Sequence, residues 1–298
     1  MIKVENVSMK FDNFTALNEL SCSIPDACIY GLVGSNGAGK STLLRILSGI
    51  YRPTGGEVLF DGKPVYENPE VKQKICFVAD ELYFLPQATM KSMAKLYSAI
   101  YKDFSFERFG EFSEMLSLNT KAGINTFSKG MRRQASTILA LSTMPKYLFL
   151  DETFDGLDPV VRNLLKRVIY NDVIERGTTV ILTSHSLREL EDTCDNLALL
   201  HRGGIVFESD IQNLKTMLLK IQIAFPEDFG EDKFDFTEVL SFKKHGSVAT
   251  VIVRGEAEEL KRRFSELNPL LLDILPLSLE EVFIYEMEAL GYAFGELL

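Results

Sequence analysis

The sequence predicts an α/β protein, and three observations carry that prediction. The first is a glycine-rich loop, Gly34-Ser-Asn-Gly-Ala-Gly-Lys-Ser-Thr42. It lies between the apolar run Cys28-Ile-Tyr-Gly-Leu-Val33 and a stretch where Leu43, Leu44, Ile46 and Leu47 recur at helical spacing. The second is a pair of apolar runs, Tyr147-Leu-Phe-Leu150 and Thr178-Thr-Val-Ile-Leu-Thr183, of the kind that fills a parallel sheet buried on both faces. The third is that both runs end in polar chemistry, Asp151-Glu152 in one case and Ser184-His185 in the other. In open α/β sheets, ligands bind at the carboxyl ends of the strands.

In chain order, Ile2, Val4 and Val7 suggest an edge strand, and Leu20-Ser-Cys-Ser-Ile24 its hairpin partner. Between them stands Phe11, on a loop ahead of the glycine-rich segment. An aromatic there can stack on a purine or simply pack the hairpin, with Phe14 as its local rival. The loop itself follows the pattern of a glycine, four residues, then Gly-Lys-Ser. Glycines let successive backbone N–H groups close round an anion, because a Cβ would block the approach or the dihedrals. Lys40 supplies a mobile point charge for terminal phosphates, and the Ser41 hydroxyl can ligate Mg²⁺. The apolar helix that follows would place the phosphates on its N-terminus. Gly34, Ser35, Asn36, Gly37, Ala38, Gly39, Lys40, Ser41 and Thr42 are therefore expected to hold a nucleoside triphosphate.

After that helix, Pro53-Thr-Gly-Gly56 and Asp61-Gly62 bracket a short strand, Glu57-Val-Leu-Phe60. Ile75-Cys-Phe-Val78 reads as a buried strand. It leads to Asp80-Glu81, either a metal-facing pair or a solvated strand end. The region from about 82 to 140 is a helical insert, dense in aromatics over its first part. Met90, Met93, Leu96 and Tyr97 recur at helical spacing, as do Phe109, Phe112, Met115 and Leu116. Some of these rings would form the insert's own core and others a docking surface. Asn125-Thr-Phe-Ser-Lys-Gly-Met131 is a small-residue turn opening a helix, a setting suited to an anion. Farther on, Asp151 would hold Mg²⁺ and Glu152 would reach a water beside the γ-phosphate. Gly156-Leu-Asp-Pro159 turns into a helix, and His185 would contact phosphate.

Composition narrows the function classes. The chain has 298 residues, 46% hydrophobic and 25% charged, enough for a full buried core. A net charge of −10 argues against a nucleic-acid binder, which must neutralise phosphates with Lys and Arg. The four cysteines show no Cys-x-x-Cys pair, so they read as reduced, buried thiols of a cytoplasmic chain. No signal peptide is visible, and no apolar run is long enough to span a bilayer.

The order of strand, phosphate loop, aromatic insert, Ser-x-Gly turn, Leu-Asp-Glu, Gly-Leu-Asp and Ser-His resembles the ATP-binding subunit of an ABC transporter, over about residues 1–210. The resemblance implies an α/β fold with a P-loop NTPase core, an N-terminal antiparallel β subdomain and a helical insert. It identifies Gly34 to Thr42 with the Walker A loop, and Leu148 to Glu152 with Walker B and its catalytic glutamate. Ser128-Lys-Gly130 matches the signature loop, Asp158 the D-loop and His185 the switch histidine. Phe11 matches the adenine-stacking aromatic, and Asp80 falls where the family usually has the glutamine of the Q-loop, placing it near Mg²⁺ or the attacking water. There are departures. Phe127, Lys129 and Met131 replace Leu, Gly and Gln of the common signature, and Thr153 stands where proline often follows the glutamate.

The implied function is Mg²⁺-dependent ATP hydrolysis that energises a separate transmembrane permease subunit. Two ATP-binding subunits, alike or different, would pair head to tail at the inner face of the cell membrane. A soluble ABC ATPase acting on a macromolecular partner is the alternative, although the long basic or coiled-coil segments of that class are not visible. Residues 211–298 read as a small α+β accessory domain. Ile221-Gln-Ile-Ala-Phe225 and Val248-Ala-Thr-Val-Ile-Val253 are its strands, and Glu256 to Leu267 a helix. A capping box at Ser278-Leu-Glu-Glu281 opens a last helix with Leu279, Val282, Phe283, Met287 and Leu290 on one face. Leu277 to Phe283 resembles the C-terminal end of export-type bacterial subunits.

Overall fold

The computed structural model describes residues 1–211 and 218–289. The chain divides into two compact units, the first Met1–Ser186 with Thr193–Glu208, the second Leu187–Asp192 with Ser209–Leu298.

The first unit opens with β1 (Ile2–Phe11) and β2 (Phe14–Ile24), an antiparallel hairpin closed at Phe11 opposite Phe14. Contrary to the sequence expectation, β1 is not an edge. It also pairs with β4 (Gly55–Phe60), giving the order β2-β1-β4-β5 with β5 at Lys63–Pro64. Ile2, Val4 and Val7 are buried because they face a core shared with Leu43, Leu47 and Phe60.

The second sheet carries the chemistry. Its strands are β3 (Ile29–Val33), β6 (Ile75–Val78), β7 (Tyr147–Asp151), β8 (Thr179–Ser184), β9 (Asn196–His201) and β10 (Gly204–Asp210), in the order β10-β9-β3-β8-β7-β6. The β3–β8, β3–β9, β6–β7 and β7–β8 pairs are parallel. Their register sets Val33 beside Ser184, Asp151 beside Thr183, and Val78 beside Leu150. Parallel strands in that register bring the glycine loop, the acid pair after β7 and His185 to one end of the sheet. Sequence alone placed each at a strand end; the sheet order makes them neighbours.

Helices supply the remaining walls. The helix α1 (Lys40–Leu47) buries Leu43, Leu44, Ile46 and Leu47 completely, each worth about 1.5–3 kcal/mol of transfer free energy. A single turn, α2 (Pro69–Lys72), precedes β6. The insert contains α3 (Met90–Ile100), α4 (Phe106–Met115) and α5 (Lys129–Ser142). Thr89 and Ser105 accept backbone N–H bonds as N-caps of the first two. Met90, Met93, Phe109 and Phe112 are core, while Leu96, Phe106 and Met115 stay exposed. A long helix, α6 (Pro159–Arg176), starts with Pro159 after the Asp158 cap and stops at Gly177, whose φ of 66° suits only a left-handed cap.

In the second unit a four-stranded antiparallel sheet has the order β12-β13-β11-β14, from β11 (Leu218–Ala224), β12 (Glu238–His245), β13 (Val248–Arg254) and β14 (Leu271–Leu275). Its core combines Ile221, Ile223, Val251 and Val253 with Phe234, Leu260 and Phe264. The Phe234 and Phe264 rings stack at 5.3 Å, the latter from the helix α8 (Ala257–Glu266). The short α7 (Leu187–Glu191) belongs to this unit, as does α9 (Leu279–Ala289). Ser278 and Glu281 exchange the two hydrogen bonds of the expected capping box. Leu279, Val282 and Phe283 are buried, while Leu290 lies outside the described residues.

Candidate active site

The loop between β3 and α1 is built as a cradle. A Cβ on Gly34 would lie 2.3 Å from the Leu200 carbonyl oxygen, so no side chain fits there. Gly39 has a φ of 111°, and its Cβ would lie 2.7 Å from Leu17 and 2.8 Å from the Ala16 oxygen. These two positions require glycine for lack of space, and Gly37 favours it for its φ of 82°. The cavity above the loop is about 230 Å³ and is lined by Phe14, Ala16, Ser35 to Thr42, Asp80 and Glu152. Its polar floor of backbone N–H groups at a helix start suits phosphate.

Lys40 is buried with its ammonium turned onto the loop. It donates to the Gly34 carbonyl at 2.5 Å and the Ser35 carbonyl at 3.3 Å, and lies 3.4 Å from Glu152 Oε1. Glu152 is approached from both sides, because its Oε2 lies 3.1 Å from His185 Nδ1. Asp155 Oδ2 stands 3.7 Å from the same nitrogen. One carboxylate therefore links the phosphate-loop lysine to the histidine after β8. That is the arrangement expected of a base beside a phosphate whose charge lysine and histidine both address.

Asp151 is 1% exposed, and its Oδ1 accepts a hydrogen bond from Thr183 Oγ1 at 2.8 Å. Thr183 also takes the Glu152 N–H at 2.9 Å. The Thr153 hydroxyl is buried and donates to the Asp151 carbonyl at 3.4 Å. Ser41 sits in the first turn of α1, lining the cavity. Asp151 and Ser41 offer only hard oxygen donors, the donor type that suits Mg²⁺.

The other four expected residues are placed as follows. Asp80 lines the cavity, but its Oδ1 accepts from Arg133 Nη2 at 2.6 Å, so that oxygen answers a guanidinium. Phe11 does not line the cavity; its ring meets Tyr51 edge-on at 5.6 Å, and Phe14 is the aromatic that reaches the phosphate loop. Ser128 and Gly130 lie outside the cavity as well. Ser128 caps α5 by accepting the Met131 N–H at 3.2 Å, anchored by buried Phe127, and its side chain is exposed. A Cβ on Gly130 would touch the Gly156 carbonyl at 3.4 Å, a close but ordinary contact.

Sequence reasoning missed two members of the site. Thr183 was read only as the end of an apolar run. Arg133 was passed over in the Met131-Arg132-Arg133 stretch, although it shares a helical face with Thr137 and buried Leu141. An arginine on the apolar face of a helix was the available signal.

The sequence profile of the ABC transporter family matches residues 17–155. The chain is also 31% identical, over 284 residues, to the ABC transporter ATP-binding protein YtrB of Bacillus subtilis (strain 168), covering 95% of this chain and 97% of that one. This chain belongs to the ABC transporter ATP-binding family. It is 28% identical to the bacitracin transport ATP-binding protein BcrA of Bacillus licheniformis, covering 72% of this chain and 71% of that one. The dimeric structure of a bacterial ABC transporter cassette superposes with a TM-score of 0.65 at 23% identity, covering 71% of this chain and 99% of that one. The ABC subunit is thus an ATPase of a transport system, with the P-loop fold expected from its sequence. Among its described residues no helix is long and apolar enough to cross a membrane.

Proposed function

We propose that this ABC subunit hydrolyses ATP with Glu152 as general base, in a head-to-tail pair that drives a separate membrane permease, in the export direction. The observation that carries the reading is the position of the Glu152 carboxylate, 3.4 Å from the phosphate-loop lysine and 3.1 Å from His185. ATP is the substrate of the cradle from Gly34 to Thr42, with adenine stacked on Phe11. Lys40 leaves the loop carbonyls to meet the terminal phosphates, and His185 orients the γ-phosphate. Ser41 and Asp151 would hold Mg²⁺, which supplies charge neutralisation at the phosphates. Glu152 takes the proton of the attacking water.

Ser128 and Gly130 are exposed or half-buried and outside the cavity, which supports their serving a second subunit's ATP. The exposed Leu96, Phe106 and Met115 of the insert support docking of the permease there, at the inner face of the membrane. The Leu277 to Phe283 segment supports export, and residues 211–298 act as an accessory domain.

Glu152→Gln keeps the size of the side chain and removes its basicity. The variant should bind ATP, lose about 10²- to 10⁴-fold in turnover, and accumulate as an ATP-bound dimer in light scattering. Turnover close to wild type would refute the assignment of the base.

A further inference from the structure

Arg133 is a charge that the catalytic assignments leave unused. Its side chain is 4% exposed, and a buried guanidinium is tolerated only where acceptors match its donors. Nη1 donates to the Glu152 carbonyl oxygen at 2.5 Å and Nη2 to Asp80 Oδ1 at 2.6 Å. One side chain from α5 therefore ties together the loop after β6 and the turn after β7.

A second observation concerns the backbone at the end of the tie. Glu152 has a φ of 47°, in the left-handed region that glycine favours. A non-glycine residue there is strained and persists only where its surroundings over-determine it. The surroundings are on both faces of the residue. Its N–H donates to Thr183 Oγ1 at 2.9 Å, and its carbonyl accepts from Arg133. With both backbone groups fixed, the direction in which the carboxylate leaves the chain is fixed too.

The geometry points to Arg133 as a positioning residue. It clamps the strained Glu152 backbone so that the carboxylate faces the phosphate loop, and Asp80 is its counter-charge. This explains the acid at position 80. A neutral side chain there would leave the buried guanidinium without a formal partner, and truncating one member of a buried pair is costly. Arg133 itself is not part of the cavity lining, so it acts through the Glu152 backbone it holds. Lysine could not replace it fully, because a point charge cannot fork between two acceptors.

The inference rests on Glu152 being the base, and the test separates the two ideas. Full-length R133Q, R133K, D80N, R133Q/D80N and E152Q are compared with wild type by steady-state ATP hydrolysis. Amide hydrogen exchange over residues 148–155 is followed in parallel, with 29–33 as the internal reference. Misplacing a reacting group by about 1 Å can cost on the order of 10²-fold. R133Q should therefore lose about 10- to 100-fold in kcat while KM stays within about threefold, and exchange over 148–155 should quicken. D80N should fall between R133Q and wild type, because the carbonyl contact remains. The double variant should match R133Q within about twofold, since Asp80 works only through Arg133. R133K should recover part of kcat.

The clamp is overturned if R133Q turns over within about twofold of wild type, if exchange over 148–155 is unchanged, or if the two substitutions add. Normal turnover in E152Q would sink the base assignment instead, and the exchange measurement would still decide the clamp. Should R133Q fail to fold, the D80N and R133K measurements carry the same decision through kcat and exchange.

Discussion

Phe11 and Phe14 face each other across the tip of the β1–β2 hairpin, yet they have different surroundings. Phe11 is 39% exposed and braced by Tyr51, whereas Phe14 is 60% exposed and borders the phosphate cavity. A braced ring loses little freedom on stacking, which favours Phe11 as the adenine platform. Base–aromatic stacking of about 0.5–1.5 kcal/mol corresponds to roughly a 2- to 12-fold change in affinity. Phe11→Ala should weaken ATP binding by that factor in a fluorescent-nucleotide competition assay and leave triphosphate binding unaffected. Phe14→Ala should weaken both, because it removes a wall beside the phosphates. The reverse pattern would move the adenine to Phe14. At this scale the sequence was legible wherever chemistry is local. Gly34, Gly39, Lys40 and Ser41 declare themselves by spacing, and Asp151, Glu152 and His185 by following apolar runs. Arg133 and Thr183 were not legible, because their roles depend on strands and helices distant in sequence meeting at one point. The cysteines were read as thiols acting as small hydrophobes. All four are buried, and burial pushes the Cys22 and Cys28 thiols up to about 12 and Cys76 up to about 11.

Elements are held together by a second, simpler constellation away from the cavity. Asp61, in the turn between β4 and β5, accepts from Lys146 Nζ at 2.7 Å, from the terminal ammonium of Met1 at 2.8 Å and from the Tyr147 hydroxyl at 3.1 Å. It fastens the antiparallel sheet to the start of β7. The Lys146 hydrogen bond, helped by the ammonium, holds the Asp61 carboxyl well below the usual carboxylate range. A carboxylate depressed in the folded state contributes stability above the ordinary value near 4, and loses it as pH falls toward the folded value. Asp61 is half-exposed, so solvent screening keeps the effect small. Asp61→Asn should lower Tm by about 1–3 °C at pH 7, and the gap from wild type should narrow steadily below about pH 4. A gap that grows on acidification would show that Asp61 is not the group responsible. Most elements around this brace were legible from hydrophobic period. The β5 and β10 strands were not, nor were three others. The run Asn196-Leu-Ala-Leu-Leu-His201 is rich in helix formers and forms β9 only because β3 offers a parallel edge. Likewise β12 is largely polar and half-exposed, and β14 is leucine-rich. Pairing decided all three, as tertiary context overrides propensity.

For the whole molecule, the decisive test is whether Ser128 works in another subunit's site. Its hydroxyl has a local duty as well, capping α5, and loss of such a cap costs about 0.5–2 kcal/mol. Ser128→Asn retains a capping side chain, while Ser128→Ala does not, so comparing the two separates helix stability from phosphate recognition. In the Glu152→Gln background, both substitutions should abolish ATP-dependent dimer formation in size-exclusion chromatography, with only Ser128→Ala lowering Tm. Dimers that survive in both would remove Ser128 from the interface. The order of the six-stranded sheet and the grouping of Leu187–Asp192 with the second unit were beyond sequence reasoning, since both depend on contacts that close over long stretches of chain.

Helix α5 has one property with a reach beyond either of its ends. Ser128 stands at its N-cap and Arg133 five residues later, a rise of about 7.5 Å along one rigid rod. In the head-to-tail pair proposed above, the cap would meet the neighbour's nucleotide, while the arginine holds the carbonyl of the chain's own Glu152. A push on one end cannot leave the other unmoved. Each subunit would then report the occupancy of the far site to its own chemistry, and the pair would fire as one cooperative device with a sigmoidal response to ATP.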